Sequence, residues 1–216
     1  MFQIFTDFDG TIALNDVGDQ LFKKYAGPEW LEPVMDWKVG MITAKECLIQ
    51  ECSLAKITKS DLQAFSDRQK IDPYFGKFVS YCQQNNYPVT VLSDGLTFYI
   101  NRILDNHGFH KLNVFANELV FLNHNKIKPV FPYYEKGCLS CGNCKGYQIR
   151  RLRQKGQKIV YIGDGFSDRC GVDESDIIFA KDDLKLYCKQ EKIDFYEFNN
   201  FKDVLEEFKR IEKTIK

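Results

Sequence analysis

Phe2-Gln3-Ile4-Phe5-Thr6-Asp7-Phe8-Asp9-Gly10-Thr11 is the stretch that decides how this chain folds. The apolar run Phe2 to Thr6 predicts a short buried strand. Asp7 and Asp9, at i and i+2, then project together from its C-terminal tip. Open parallel sheets bind their ligands at that edge. Two carboxylates so close repel each other unless a cation sits between them, which suggests a hard metal such as Mg²⁺. Gly10 lets the backbone turn sharply, and Gly10 with Thr11 offers N–H and hydroxyl donors to an anion.

Working outward, Lys158 to Ile162 predicts a second buried strand that runs into Gly163-Asp164-Gly165-Phe166-Ser167-Asp168, again acids on a glycine-rich turn. Between the two lies a third apolar strand, Val89 to Leu92, ending in Ser93-Asp94-Gly95. Lys145 opens a helix over Gly146 to Lys155. Ordinary surface turns account for any one of these acids. They do not account for an ordered set of Ser, Lys and acids on strand ends.

Between the first and third strands, residues 16 to about 86 show helical periodicity with almost no strand signal. Val17, Leu21 and Tyr25 share one face, and Gly27-Pro28 ends that segment. Thr43 precedes Cys47, Leu48 and Cys52 in phase; Thr58 or Ser60 caps a helix carrying Leu62 and Phe65. Pro73 opens another, with Phe75, Phe78, Val79 and Cys82 on one side. From Val89 onward strand and helix alternate. Helices are expected at Phe98 to His107, Leu184 to Glu191 and Phe201 to Ile215, and strands at Val114 to Phe121, Ile177 to Phe179 and Asp194 to Tyr196. Such alternation implies a doubly wound parallel α/β sheet with helices on both faces.

The chain of 216 residues can bury one core and a small insertion. Lys+Arg and Asp+Glu balance at 30 each, so no strong net field draws it to nucleic acid or membrane, and neither is expected as a partner. The N-terminal apolar run is broken by Gln3 and ends at Asp7, unlike a signal peptide, and no run nears the roughly 20 apolar residues of a membrane span. The expectation is a cytoplasmic protein, monomer or homodimer.

The motifs D-x-D-G-T at 7–11, Ser93 at a strand end, Lys145 and G-D-G-x-x-D at 163–168 together resemble those of the haloacid dehalogenase-like phosphohydrolases. The resemblance covers most of the chain. It implies a Rossmannoid core at 1–14 and 73–216, with a small helical cap of the C1 type at 15–72, as in the phosphoserine phosphatase-like branch. It implies a small phosphorylated metabolite as substrate. Asp7 is then the nucleophile that becomes an aspartyl-phosphate, and Asp9 the general acid and base. Mg²⁺ is held by the Asp7 side chain, the Asp9 backbone carbonyl and Asp164. Asp168 orients a metal-bound water or anchors Lys145. Phosphoryl oxygens are bound by Ser93 and Lys145, with Gly10, Thr11, Asp94 and Gly95 around them.

Asp16 falls where phosphoserine phosphatases carry a cap-base glutamate, but the arginine that grips a serine carboxylate has no clear match; Lys45 is a loose candidate. Phe8 to Ile12 with Asn15-Asp16, the run Gly27-Pro28-Glu29-Trp30 and the cysteines before Lys145 resemble the 2-hydroxy-3-keto-5-methylthiopentenyl-1-phosphate phosphatases of methionine salvage. Asp94, where those enzymes have glycine, is instead similar to the phosphoethanolamine/phosphocholine phosphatases, where a carboxylate meets a cationic head group. Its other reading is a helix N-terminal acid on a helix from about Leu96. Trp30, Trp37, Phe22 and Met41 line either the substrate surface or the cap's own core.

Of the eight cysteines, Cys47, Cys52, Cys82, Cys170 and Cys188 are scattered and read as small buried hydrophobes. No disulfide framework is expected. Cys138-Leu139-Ser140-Cys141-Gly142-Asn143-Cys144 has the ligand-type spacing C-x-x-C-x-x-C. Three thiolates from so short a loop could share a Zn²⁺ with a fourth ligand, for which His124 and Cys170 are candidates. The favoured reading is a tight turn of unmetallated thiols. Other classes stay open: a phosphomutase using the same aspartyl-phosphate, or a phosphate-binding protein without turnover. A dehalogenase has no use for the acid at Asp9.

Overall fold

The computed structural model describes residues 1–215. The elements run β1 (Phe2–Thr6), α1 (Val17–Tyr25), α2 (Leu31–Lys38), α3 (Ala44–Leu54), α4 (Lys59–Ser66), α5 (Phe75–Gln84), β2 (Val89–Leu96) and α6 (Thr97–Asn106). They continue β3 (Asn113–Phe121), β4 (Ile127–Val130), α7 (Lys145–Leu152), β5 (Lys158–Gly163), α8 (Arg169–Val172), β6 (Ile177–Ala180), α9 (Asp182–Glu191), β7 (Tyr196–Glu197) and α10 (Phe201–Ile215).

β1 is buried along its whole length, which is why its sequence is apolar on both faces. The sheet order is β4-β3-β2-β1-β5-β6-β7, with only β3 and β4 antiparallel. β1 pairs with β2 on one side and β5 on the other, so the strand order reverses at β1. A crevice opens at the carboxyl ends of strands at such a switch point. One core packs Phe2, Ile4, Val91, Val160 and Phe179 against the apolar faces of α5, α6 and α10. Edge-to-face contacts of Phe75 with Phe201 and of Phe2 with Phe208 lock α5 and α10 there. The opposite face buries Phe5, Ile159, Tyr161 and Ile178 against Ile149 of α7 and Leu184 of α9.

Helices α1 to α4 fill the space between β1 and α5. Asp16 caps α1, and Thr43 and Thr58 form capping boxes with Glu46 and Asp61, so Thr58 rather than Ser60 starts α4. The chain leaves and re-enters side by side: Leu14 N–H donates to the Lys70 carbonyl and Asp72 N–H to that of Ile12. Val17, Leu21, Leu48, Cys52 and Leu62 extend the central core into this segment.

Three local expectations are corrected. β2 does not stop at Leu92 but continues through Ser93-Asp94-Gly95 to Leu96, and its pairing with β3 shifts between Leu92 and Leu96. Asp94 therefore sits in an irregular strand end, three residues ahead of α6. α5 begins at Phe75 rather than Pro73, because Asp72 accepts from the N–H of Tyr74 and from that of Phe201, holding the turn outside the helix. The last strand is Tyr196–Glu197, since Phe179 and Ala180 pair with those residues. No helix among the described residues is long and apolar enough to cross a membrane.

Candidate active site

The carboxyl ends of β1, β2 and β5 bring the motif residues together. Thr6 lies opposite Ile162 in the β1–β5 register, so Asp7 and Asp164 leave neighbouring strands side by side. Oxygens of Asp7, Asp164 and Asp168 lie within 4.8 Å of one another, a group that could hold a metal ion. Lys145, with no exposed surface, reaches into them from the first turn of α7. Its Nζ lies 2.9 Å from Asp7 Oδ1, bonds Asp168 Oδ1, and donates to Ser167 Oγ at 3.0 Å. Lys145 is thus a buried cation and not a solvated helix-start lysine.

Asp168 anchors the arrangement. Besides Lys145 it accepts from the Tyr161 hydroxyl at 2.5 Å and from the N–H groups of Asp164 and Gly165, both at 2.9 Å. These bonds shape the loop that presents Asp164. Asp164 accepts from Thr11 Oγ1 at 2.5 Å. Gly10 has φ of 71°, and a Cβ there would stand 2.3 Å from Asp164 Oδ2, so only glycine lets the first and fourth motifs close.

Two expectations about anion donors are corrected here. The Gly10 N–H is taken by the Asn15 carbonyl and the Thr11 N–H by that of Phe8, while the Thr11 hydroxyl is spent on Asp164. In the structure these groups brace the loop instead of facing the cavity. The Phe8 N–H donates to Asp7 Oδ1 at 2.7 Å.

Asp9 points across the crevice toward β2. Its Oδ2 accepts from Ser93 Oγ at 3.2 Å and from the Tyr99 hydroxyl at 2.9 Å; its Oδ1 accepts from Val17 N–H at 3.2 Å. Ser93 Oγ in turn accepts from Gly95 N–H at 2.9 Å. Burial, and then the charge of Asp16, push the Asp9 carboxyl up to about 8 despite those donors. Burial and Asp168 push Asp164 up to about 7. Asp7 is raised too, by burial and by Asp168, which outweigh the adjacent Lys145. Burial works against the charge of Lys145, but Asp168 and Asp7 hold its pKa above the ordinary lysine value.

A cavity of about 300 Å³ stands over these groups, roofed by α1, α2 and α3. Phe22, Val34, Trp37 and Leu48 form its apolar side, and Asp16, Asp19 and Glu51 its acidic side. Trp37 packs edge-on against Phe166 of the fourth motif at 5.5 Å, and Lys38 lies 3.8 Å from Asp183, so α2 rests on the loop after β5 and the first turn of α9. Of the four large residues singled out between β1 and α5, Phe22 and Trp37 line the cavity; Trp30 packs against the core and Met41 is exposed.

Asp16 lines the cavity and caps α1 through Asp19 N–H at 2.8 Å. Lys45 is corrected: its Nζ stacks 3.6 Å from the centre of the Tyr134 ring and takes no part in the cavity wall. Asp94 reaches the wall but serves neither as a helix N-terminal acid nor as a free anionic contact. It accepts from the N–H groups of Asn143 at 2.7 Å and Gly142 at 3.3 Å, and from Asn117 Nδ2 at 3.1 Å, so it staples the cysteine loop to β2. In that loop Cys138 and Cys141 meet Cys170, not His124, and Cys170 is not a core hydrophobe. Sequence reasoning missed Tyr99, Tyr161, Asp19 and Glu51.

Comparison with known proteins fits this geometry. Residues 2–206 match the profile of the Putative Phosphatase family. The chain belongs to that family. A polyol phosphate phosphatase, PYP1, of Saccharomyces cerevisiae is 30% identical, covering 98% of this chain and 95% of its own length. A 2-hydroxy-3-keto-5-methylthiopentenyl-1-phosphate phosphatase of Bacillus mycoides is 30% identical over 97% of this chain and 96% of its own. One from Bacillus velezensis is 32% identical over 93% and 87%. A structure of a phospho-aspartyl intermediate analogue of phosphoserine phosphatase superposes with a TM-score of 0.73 at 20% identity, covering 95% of this chain and 99% of that one. The fold is therefore that of the haloacid dehalogenase-like phosphatases, and this Putative Phosphatase family member is a phosphatase.

Proposed function

We propose that the protein is a Mg²⁺-dependent phosphomonoesterase working through phospho-Asp7. We further propose that its leaving group is a small, uncharged, hydroxyl-bearing alcohol. That class includes both the methylthiopentenyl phosphate and the polyol phosphates for which its relatives are named. Helices α1 to α4, residues 15–72, act as the cap that selects it.

The catalytic reading rests on the separated roles of Asp7 and Asp9. Asp7 Oδ1 is occupied by the Phe8 N–H and Lys145, which leaves Oδ2 to attack phosphorus. The phosphorus–Oδ2 bond forms as the bond to the substrate alcohol breaks. Asp9, raised to about 8, holds a proton at neutral pH and gives it to the departing alkoxide. The resulting carboxylate then takes a proton from the water that displaces Asp7, releasing phosphate and restoring both acids. Ser93 and Lys145 stand beside the path of the phosphoryl oxygens.

The donor set suits a hard cation. Three carboxylates face one ammonium, and the raised pKa values of Asp7 and Asp164 mark a site short of positive charge. Asp7 and Asp164 with the Asp9 carbonyl would hold Mg²⁺, which supplies the charge that offsets the phosphate dianion. Asp168 stays with Lys145.

The observation that carries the substrate class is the cavity wall. It holds Asp16, Asp19 and Glu51 beside an apolar face, and its one lysine, Lys38, is held near Asp183. Burial pushes Glu51 up to about 9, so at neutral pH it is an acid that can donate to and accept from hydroxyls. A substrate carboxylate such as that of phosphoserine finds there a single cation, Lys38, already within 3.8 Å of Asp183. The acids also favour a second reading, an amine head group as in phosphoethanolamine. A kcat/KM panel with Mg²⁺ separates these: polyol and methylthiopentenyl phosphates are expected first, phosphoethanolamine next and phosphoserine last. Phosphoserine at the top would overturn the assignment. With a sugar phosphate, free phosphate is expected; an isomerised ester would indicate a mutase.

A further inference from the structure

We propose that Cys138, Cys141, Cys144 and Cys170 form a Zn²⁺ site that clamps the loop before Lys145 to the helix after Asp168. The sulfurs of Cys138, Cys141 and Cys170 lie within 4.8 Å of one another. A tetrahedral site with Zn–S bonds of about 2.3 Å has sulfur–sulfur edges of about 3.8 Å, within a small side-chain adjustment of that. Cys144, three residues beyond Cys141 and interacting with the Cys141 and Cys170 thiols, stands next to that triad and would supply the fourth ligand.

A backbone amide is directed at the cluster. The Cys141 N–H donates to Cys138 Sγ at 3.4 Å. Amides directed at sulfur stabilise the anionic form, which is the ligand form. Leu139 adopts φ of 62° between the first two cysteines, a left-handed conformation that folds the loop back on itself. The other cysteines, Cys47, Cys52, Cys82 and Cys188, are buried one by one in helices. Burial in an apolar core explains those four. It does not explain three sulfurs within 4.8 Å of one another on partly exposed residues, with Cys144 beside them.

The position of the cluster gives it a task. Cys144 immediately precedes Lys145, and Cys170 follows Asp168 by two residues. A Cβ on Gly146 would fall 2.4 Å from the Cys170 carbonyl, so α7 and α8 meet backbone to backbone at this point. Zn²⁺ on one side of that contact would hold in place the Lys145–Asp168 pair on the other. The same loop reaches the cap, because the Ser140 carbonyl accepts the first N–H of α3, that of Ala44, at 3.0 Å. On binding, the thiols release their protons to solvent and four Zn–S bonds form; nothing is oxidised or reduced.

Metal analysis of the full-length protein, purified without chelator from zinc-supplemented cells, tests this. One zinc per chain is expected. The Cys138→Ser/Cys170→Ser double variant is expected to lose at least nine-tenths of it, while Cys188→Ser and Asp164→Asn retain it. Should the double variant fail to fold, exchange of the parent with Co²⁺ is expected to give the intense sulfur-to-cobalt charge-transfer absorption of a thiolate site. Three results would overturn the site. The first is parent protein that binds neither Zn²⁺ nor Co²⁺ in equilibrium dialysis. The second is zinc lost with Asp164 and kept by the cysteine variant. The third is six titratable thiols instead of eight in unreduced, denatured, chelator-treated protein, which would mean a disulfide.

Discussion

Tyr99 donates its hydroxyl to Asp9 Oδ2 at 2.9 Å, joining the first turn of α6 to the loop after β1. This bond favours the carboxylate, so it works against the burial that keeps Asp9 protonated. In Tyr99→Phe the Asp9 pKa should therefore rise. If protonated Asp9 is the general acid, kcat of the parent falls as pH climbs through about 8, and the variant holds its activity to higher pH. At pH 7 the variant should lose about tenfold in kcat, the worth of one hydrogen bond that orients the acid. An alkaline limb that stays in place or moves down would remove Asp9 from that role.

Gly10 and Asp164 meet too closely for any other residue at position 10. Gly10→Ala puts a methyl where Asp164 Oδ2 stands and strains the backbone at φ of 71° by about 1–2 kcal/mol. The fold should survive that strain, while Asp164 is displaced. The Mg²⁺ concentration for half-maximal activity should then rise by roughly tenfold or more. Unchanged Mg²⁺ dependence would separate Asp164 from the metal.

Lys145 compensates two buried carboxylates. Lys145→Ala leaves Asp7 and Asp168 without their cation, which should cost about 3–5 kcal/mol of stability. Because Asp7 takes up a proton more readily once Lys145 is gone, the deficit should shrink toward low pH. Denaturant melts at pH 5 and pH 8 check both. A loss below about 1 kcal/mol would mean the pair is solvated in solution.

How much of this was legible in the sequence depended on distance along the chain. Asp7, Asp9, Ser93, Lys145, Asp164 and Asp168 could be found because each ends or follows a strand or opens a helix, and strand ends converge in a parallel sheet. Tyr99, Tyr161 and Glu51 could not. Tyr99 and Tyr161 read as apolar-face residues of a helix and a strand, and only the packing of α6 on β2 and β3 or the β5–Asp168 turn turns their hydroxyls inward. Asp94 was misread because β2 continues past Leu92 with a register shift, which hands its carboxylate to the Gly142 and Asn143 amides. Cys170 was one of two candidates beside the cysteine loop, with His124, because the sequence does not place either; the turn after β5 brings Cys170 there.

Glu51 offers a pH test away from the metal ligands. Burial, and then the charges of Asp19 and Asp16, raise its pKa from 4.5 to about 9 even though the Cys47 thiol donates to it. A carboxyl raised on folding stabilises the fold fully below its unfolded pKa, and that contribution is lost as pH climbs toward the folded value. Glu51→Gln has no such proton to lose. Its melting temperature should gain on the parent's by on the order of 5 °C between pH 5 and pH 9. A difference independent of pH would show that Glu51 ionises freely.

The central claim is that a carboxylate oxygen of Asp7 becomes esterified to phosphorus. Phosphate release by purified Asp7→Asn with Mg²⁺ and a polyol phosphate measures it directly. The variant should be slower than the parent by at least about 10⁴-fold, with its fold intact by circular dichroism. Release at the parent's rate would contradict the account.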